Sequence, residues 1–211
     1  MKIINPGPLS QLIFPWTIWK IKTEKPELYL TFDDGPHPEY TPGILKILQE
    51  FGVKATFFVT GQKALLHPGI VRETIRDGHT IGNHGFSHQR LASKNKRMIR
   101  EEILDCDRVI KNISGQKPVF FRPPHGRFDF RFKNITQELG KKLVIWSLLS
   151  YDYLEASPEK LIRRITSNLH PGAVIVLHDG HKNSAITLKT LPAILSSIKQ
   201  LGYILKPFTT Q

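Results

Sequence analysis

Acidic, basic and imidazole side chains recur at the ends of short apolar runs. Asp33 and Asp34 follow one such run, His84 and His88 another, and Arg122 closes a third. Asp152 follows the next, and His178 and Asp179 end the one after. Two adjacent carboxylates permit a division of labour, one binding a metal while the other stays free as a base. The His84-x3-His88 spacing suits a single cation, and Gly82 and Gly85 argue for a loop in which both rings turn inward. Two histidines and one carboxylate form a ligand set for catalytic zinc that leaves a position open for water, which then loses its proton near neutral pH. His178 would supply a proton to a leaving group. This inventory fits hydrolysis of an ester or amide. Each piece has a plainer alternative: a turn and cap for the aspartates, an extended edge for Arg122-Pro123-Pro124, and a satisfied strand-end histidine for His178. Their joint occurrence at successive strand ends is what reads as a site.

The elements that must position these groups are visible in the hydrophobic pattern. β-Branched and aromatic runs at 28–32, 55–60, 79–83, 119–122, 142–147, 173–178 and 203–208 predict seven strands. Helical stretches lie between them. One is expected to start with Thr41 as N-cap and Pro42 behind it and to stop at Gly52; another runs from Pro68 to Gly78. The longest aligns Ile99, Ile103, Cys106, Ile110 and Ile113 before Gly115, and Pro158 opens one whose buried face is Leu161, Ile162, Ile165 and Leu169. Alternating strands and helices predict parallel βαβ units. Asp-Asp-Gly-Pro stands where an open doubly wound sheet would carry a glycine-rich phosphate loop. Eight barrel units normally need about 250 residues, so this chain predicts an α/β fold of the TIM-like kind, shortened and distorted to (β/α)7. All strand C-termini then open onto one mouth.

Five segments carry a resemblance: Thr31-Phe32-Asp33-Asp34-Gly35-Pro36, His84-x3-His88, Arg122-x-Pro124-x-Gly126, Trp146 followed by Asp152-Tyr153, and Val176-Leu177-His178-Asp179. In that order they resemble the five motifs of the NodB-like polysaccharide deacetylases, carbohydrate esterase family four. The resemblance covers about residues 27–206. It implies a distorted (β/α)7 barrel that removes N-acetyl, sometimes O-acetyl, groups from an acetylated glycan or oligosaccharide with one divalent metal. Zinc is the first expectation, with cobalt, nickel or manganese as alternatives. By position, Asp34, His84 and His88 would be the metal ligands and Asp33 the base, held and tuned by Arg122. His178 would be the general acid, oriented by Asp152, after attack by metal-bound water on the acetyl carbonyl. The main-chain N–H of His125 would stabilise the oxyanion, Trp146 and Val176 would line the acetyl pocket, and Tyr153 would offer sugar a flat surface. The sequence departs from the family pattern at His125, Tyr153 and Val176, which bears on substrate preference more than on chemistry. Alternatives within this reading are a catalytically weak glycan-binding relative and a deacetylase of a small amino-sugar or acyl ester.

Composition narrows the remaining choices. At 211 residues, 40% apolar and 23% charged, the chain has the make-up of one globular domain rather than a disordered or multi-span membrane protein. The single Cys106 forms no internal disulfide. Thirty basic and 18 acidic residues give +12, yet no recognition helix, aromatic RNP pattern or zinc finger accompanies the charge, so no nucleic-acid partner is expected. Residues 1–26 are read as an apolar amino-terminal segment packed on the catalytic domain at 27–211. Its core, Leu9 to Trp19, is split by Pro15 and too short to span a bilayer; only Lys2 stands in for a positive n-region. Membrane-surface contact by residues 9–22 is the alternative. With no signal peptide or spanning segment visible, a cytoplasmic monomer is the default expectation, with membrane-surface or extracytoplasmic location as alternatives.

Overall fold

A computed structural model describes residues 8–209; residues 1–7, including Lys2, lie outside the described residues. The strands are β1 (Glu27–Asp33), β2 (Thr56–Val59), β3 (Thr80–Asn83), β4 (Phe120–Phe121), β5 (Lys142–Leu143), β6 (Leu148–Leu149), β7 (Val174–His178) and β8 (Ile204–Leu205). Their order is β5-β4-β3-β2-β1-β7-β6, with β8 pairing β1, and all these pairings are parallel. The seven-strand path is the distorted, shortened (β/α)7 arrangement anticipated above. β2 is buried along its whole length and β1 nearly so, as strands covered on both faces must be.

The helices are α1 (Pro8–Ile13), α2 (Tyr40–Glu50), α3 (Gly61–Leu66), α4 (Pro68–Arg76), α5 (Lys96–Ser114), α6 (Arg131–Glu138), α7 (Pro158–Thr166) and α8 (Ser184–Gln200). α5 buries Ile99, Ile103, Cys106 and Ile110, while Ile113 is half-buried. Asn95 caps α5 by accepting the Met98 N–H at 2.9 Å, and Gly115 ends it at φ 74°. Ser157 and Pro158 open α7 in the same spirit.

Two sequence expectations change, and one helix is added. α2 starts at Tyr40, so Thr41 is not its N-cap. The Thr41 hydroxyl instead accepts the His37 N–H at 2.8 Å and donates to Asp179 at 2.6 Å, a pull from the loop after β7 that the local pattern does not contain. Between β2 and α4 the chain forms the separate short helix α3. The run at 142–147 also breaks. β5 stops at Leu143, Ile145 donates its N–H to Ile18 at 2.8 Å, and Ser147 turns to Val174 at 3.2 Å before β6 begins. Asp152 therefore follows β6, and His178 ends β7 rather than a sixth strand.

The amino-terminal segment crosses the end of the sheet. Ile18 bridges Val144, Lys20 bridges Ala173, and Ile21 donates to Gly172 at 2.9 Å. A side chain at Gly172 would meet the Ile21 carbonyl at 1.9 Å, so glycine is required there. Trp19 is buried, and Phe14 packs on Phe128 at 4.8 Å between ring centres, whereas Leu9 and Leu12 are exposed. Among the described residues no helix is long and apolar enough to cross a membrane.

Beneath the β3–β4 edge lies a buried ionic cluster. Asp107 accepts from the Lys141 ammonium at 2.6 Å and from Asn83 at 2.8 Å, and Lys141 also donates to the Pro118 carbonyl. Asn83 in turn accepts the Gly85 N–H at 2.7 Å, which sets the start of the His84–His88 loop. Removing one member of a buried pair leaves an uncompensated charge. Asp107→Ala is expected to cost about 3–5 kcal/mol in urea unfolding; a loss below about 1 kcal/mol would contradict this account of the cluster.

Candidate active site

β1 delivers Asp33 and, at the next position, Asp34 in the left-handed region at φ 73°. Asp33 Oδ1 accepts Arg122 Nη1–H at 2.6 Å. The guanidinium is completely buried over the Phe58 ring at 4.1 Å and also donates to Thr31 Oγ1 at 2.8 Å and the Ile145 carbonyl at 2.7 Å. Burial lowers the Arg122 pKa, with the Asp33 carboxylate opposing that shift.

Asp34 Oδ1 lies 2.9 Å from His88 Nε2 and 3.3 Å from His84 Nε2, and one ligand atom from each of the three lies within 4.8 Å of the others. His84 Nδ1 sits 2.7 Å from the Arg122 carbonyl. A carbonyl only accepts, so Nδ1 carries a ring proton, and whenever the ring is neutral Nε2 has the lone pair that a cation would take. The donor set therefore fits a divalent cation on its own geometry. Burial pushes the Asp34 carboxyl up, but the two imidazoles hydrogen-bonded to it outweigh that and hold it well below the usual carboxylate range. The loop that aims His88 hangs from Glu102 on α5, which accepts the Phe86 and Ser87 N–H groups, each at 2.9 Å. Lys63 on α3 ties the loop after β1 to the loop after β7, donating to the Asp34 carbonyl at 2.8 Å and the Gly180 carbonyl at 2.6 Å.

His178 pairs with Asp152, Nδ1 to Oδ1 at 2.7 Å. Asp152 is fully buried and also accepts from the His178 N–H at 2.7 Å, Thr187 at 2.6 Å and Ser150 at 2.9 Å. Nε2 is thereby left for the cleft. Burial disfavours the His178 imidazolium, yet the Asp152 carboxylate outweighs it, with smaller help from Asp34 and Asp33, and the pKa rises to about 9. Burial also pushes Asp179 up to about 7, against the hydrogen bond from Thr41.

These groups open onto one cleft of about 430 Å³. Asp33, Asp34, His84, His88 and His178 line it, and so do His125, Trp146 and Tyr153. Arg122 and Asp152 stand behind that wall. His125 has φ 60° and its ring lies 4.6 Å from that of His88, while Gly126 is pressed so close to Trp146 that a Cβ would meet the indole at 2.1 Å. Val176 does not reach the cleft: it is completely buried, and its register partner Leu149 on β6 forms the wall instead. His181 lines the cleft too, whereas His37 stacks on Tyr40 at 4.4 Å, outside it. Sequence reasoning missed Leu149 because the strand that carries it is hidden in a broken run. Glu102 and Lys63 act from helices with no local pattern to mark them.

A family model for polysaccharide deacetylase matches residues 20–144. A chitooligosaccharide deacetylase of Azorhizobium caulinodans is 34% identical over 200 aligned residues, covering 89% of this chain and 95% of that protein. The peptidoglycan-N-acetylglucosamine deacetylase PgdA of Listeria monocytogenes is 33% identical over 87% of this chain, which spans only 38% of that longer protein. Among solved structures, the Bc1960 peptidoglycan N-acetylglucosamine deacetylase superposes with a TM-score of 0.90 at 32% identity, covering 96% of this chain and 95% of that one. A carbohydrate esterase family four pseudoenzyme of Bacillus anthracis follows at TM-score 0.83 and 25% identity, covering 90% and 66%. The family model spans more than half of the chain and the relatives match across nearly all of it, and the chain belongs to the polysaccharide deacetylase family.

Proposed function

We propose that this protein is a metal-dependent hydrolase that removes the N-acetyl group from N-acetylglucosamine-type sugars of a glycan, with peptidoglycan the favoured polymer. The single observation carrying this reading is the meeting, in one cleft, of the Asp34–His84–His88 donor set with Asp33 held by Arg122 and His178 held by Asp152. Asp34, His84 and His88 would hold a divalent cation, zinc being the best match for two imidazoles and one carboxylate, and it would supply polarisation of the acyl oxygen and acidification of water. Asp33 takes a proton from the attacking water, and Arg122 keeps its carboxylate aimed. The His125 N–H donates to the oxygen that gains charge as the carbonyl becomes tetrahedral. His178 Nε2 then gives its proton to the departing sugar nitrogen, so that water and amide become acetate and amine. Trp146 and Leu149 offer apolar wall to the acetyl methyl, and Tyr153 offers a face to the sugar ring.

A glycan-binding protein with little turnover is the second reading, favoured by the pseudoenzyme among the structural neighbours. Retention of both proton-transfer groups, each with its orienting partner, argues for turnover here.

Acetate release from acetylated glucosamine oligomers and peptidoglycan, with metal content measured alongside, tests the proposal. Asp33→Asn is expected to lower kcat at least about 100-fold with metal content unchanged; full activity in that variant would remove Asp33 from its role. The pH profile tests the acid. His178 is raised, so its imidazolium is present below the pKa and lost as pH rises through it. The alkaline limb should lie at or below about 9, since a cation at Asp34 cancels that carboxylate's share of the shift. Asp152→Asn should move the limb to lower pH and cut the rate at pH 8 by about tenfold. An unmoved limb would show that His178 is not the titrating acid.

A further inference from the structure

The rim of the cleft carries two arginines that the reaction does not use. Arg90 lies two residues beyond His88, and Arg127 two beyond His125. The two loops meet where the His88 and His125 rings approach to 4.6 Å, and both arginines line the cleft from exposed positions. They differ from most of the chain's arginines in having no carboxylate partner. Of the 11 arginines, all within the described residues, Arg76, Arg97, Arg100, Arg108, Arg122, Arg131 and Arg164 each have a carboxylate partner. Among the described residues Arg72, Arg90, Arg127 and Arg163 have none, and of these four only Arg90 and Arg127 line the cleft. Among the described residues the only carboxylates on the cleft wall are Asp33 and Asp34, and each already has its own partners. Two unneutralised guanidinium forks thus flank a cleft whose floor is committed to the acetyl group.

We propose that Arg90 and Arg127 form a carboxylate-binding subsite, which makes the preferred substrate an acidic glycan bearing a carboxylate beside the acetamido sugar to be hydrolysed. The proposal rests on the deacetylase reading above and names its substrate class. A guanidinium fork matches a carboxylate in charge and geometry, and its planar donors lose little freedom on binding. Such a contact at an exposed rim acts on substrate binding rather than on the chemical step, and it weakens as salt rises. A neutral chito-oligomer offers it nothing.

The test compares two probes of equal length. One is an N-acetylglucosamine tetramer; the other is an alternating tetrasaccharide of N-acetylglucosamine and N-acetylmuramic acid, which carries lactyl carboxylates. Acetate release gives kcat and KM for each, and calorimetry gives binding. The native protein should favour the acidic probe in KM. An Arg90→Ala, Arg127→Ala double variant should raise KM for that probe by about tenfold to 100-fold with kcat little changed, and alter the neutral probe less than about twofold. The paired Arg→Lys variant should recover part of the loss. Equal losses on both probes, or none on either, would overturn the subsite. Binding of the acidic probe through the arginines without acetate release would keep the subsite and sink the deacetylase reading. Turnover of both probes at equal KM would do the reverse.

Discussion

One residue at the end of β4 serves both halves of the site. The Arg122 carbonyl takes the Nδ1 proton of His84 at 2.7 Å, and its guanidinium takes Asp33 at 2.6 Å. The tautomer of His84 and the direction of the Asp33 carboxylate thus depend on a single residue beside β3. A completely buried guanidinium carries a desolvation cost of several kcal/mol that only well-placed partners offset. Asp33, Thr31, the Ile145 carbonyl and the Phe58 face supply those partners. The arrangement is stiff because breaking any of it strands a charge in the core.

The His178–Asp152 pair is built the same way on the other side of β1. Asp33 and His178 are register partners on β1 and β7, and Asp152 arrives from the turn after β6. His84 lies two strands away in the opposite direction, beyond β2. Parallel strands bring all these ends to one edge, so residues spread over about 145 positions meet without any long functional loop. Residues 18–21 add hydrogen bonds from outside the path, linking the end of the short β5 to the residues just ahead of β7.

Much of this is legible in the order of residues. The apolar runs ending in Asp33, Asn83, Arg122 and His178 are strands covered on both faces, and burial writes itself into sequence as continuous hydrophobicity. The chemistry at their ends follows because parallel topology shares one exit. The failures have a common physical cause, which is that a distant partner decided the outcome. Thr41 looked like a cap until Asp179 claimed its hydroxyl. The run at 142–147 looked continuous until Ile18 took Ile145 and left Leu149, not Val176, to wall the cleft. Glu102, Lys63 and Asp107 hold the loops of the site through contacts 15 or more residues away in sequence, and no local period reports such contacts.

The +12 balance gains a place in this picture without a nucleic-acid partner. Many arginines are spent on local carboxylates, and the unpaired ones at the cleft stand beside the donor set on which the whole account turns. That donor set is tested most directly by crystals grown with zinc and measured above and below its absorption edge. One anomalous peak about 2.0–2.2 Å from Asp34 Oδ, His84 Nε2 and His88 Nε2 is the expected result. A map with no peak there, or with the metal held by other residues, would contradict the claim.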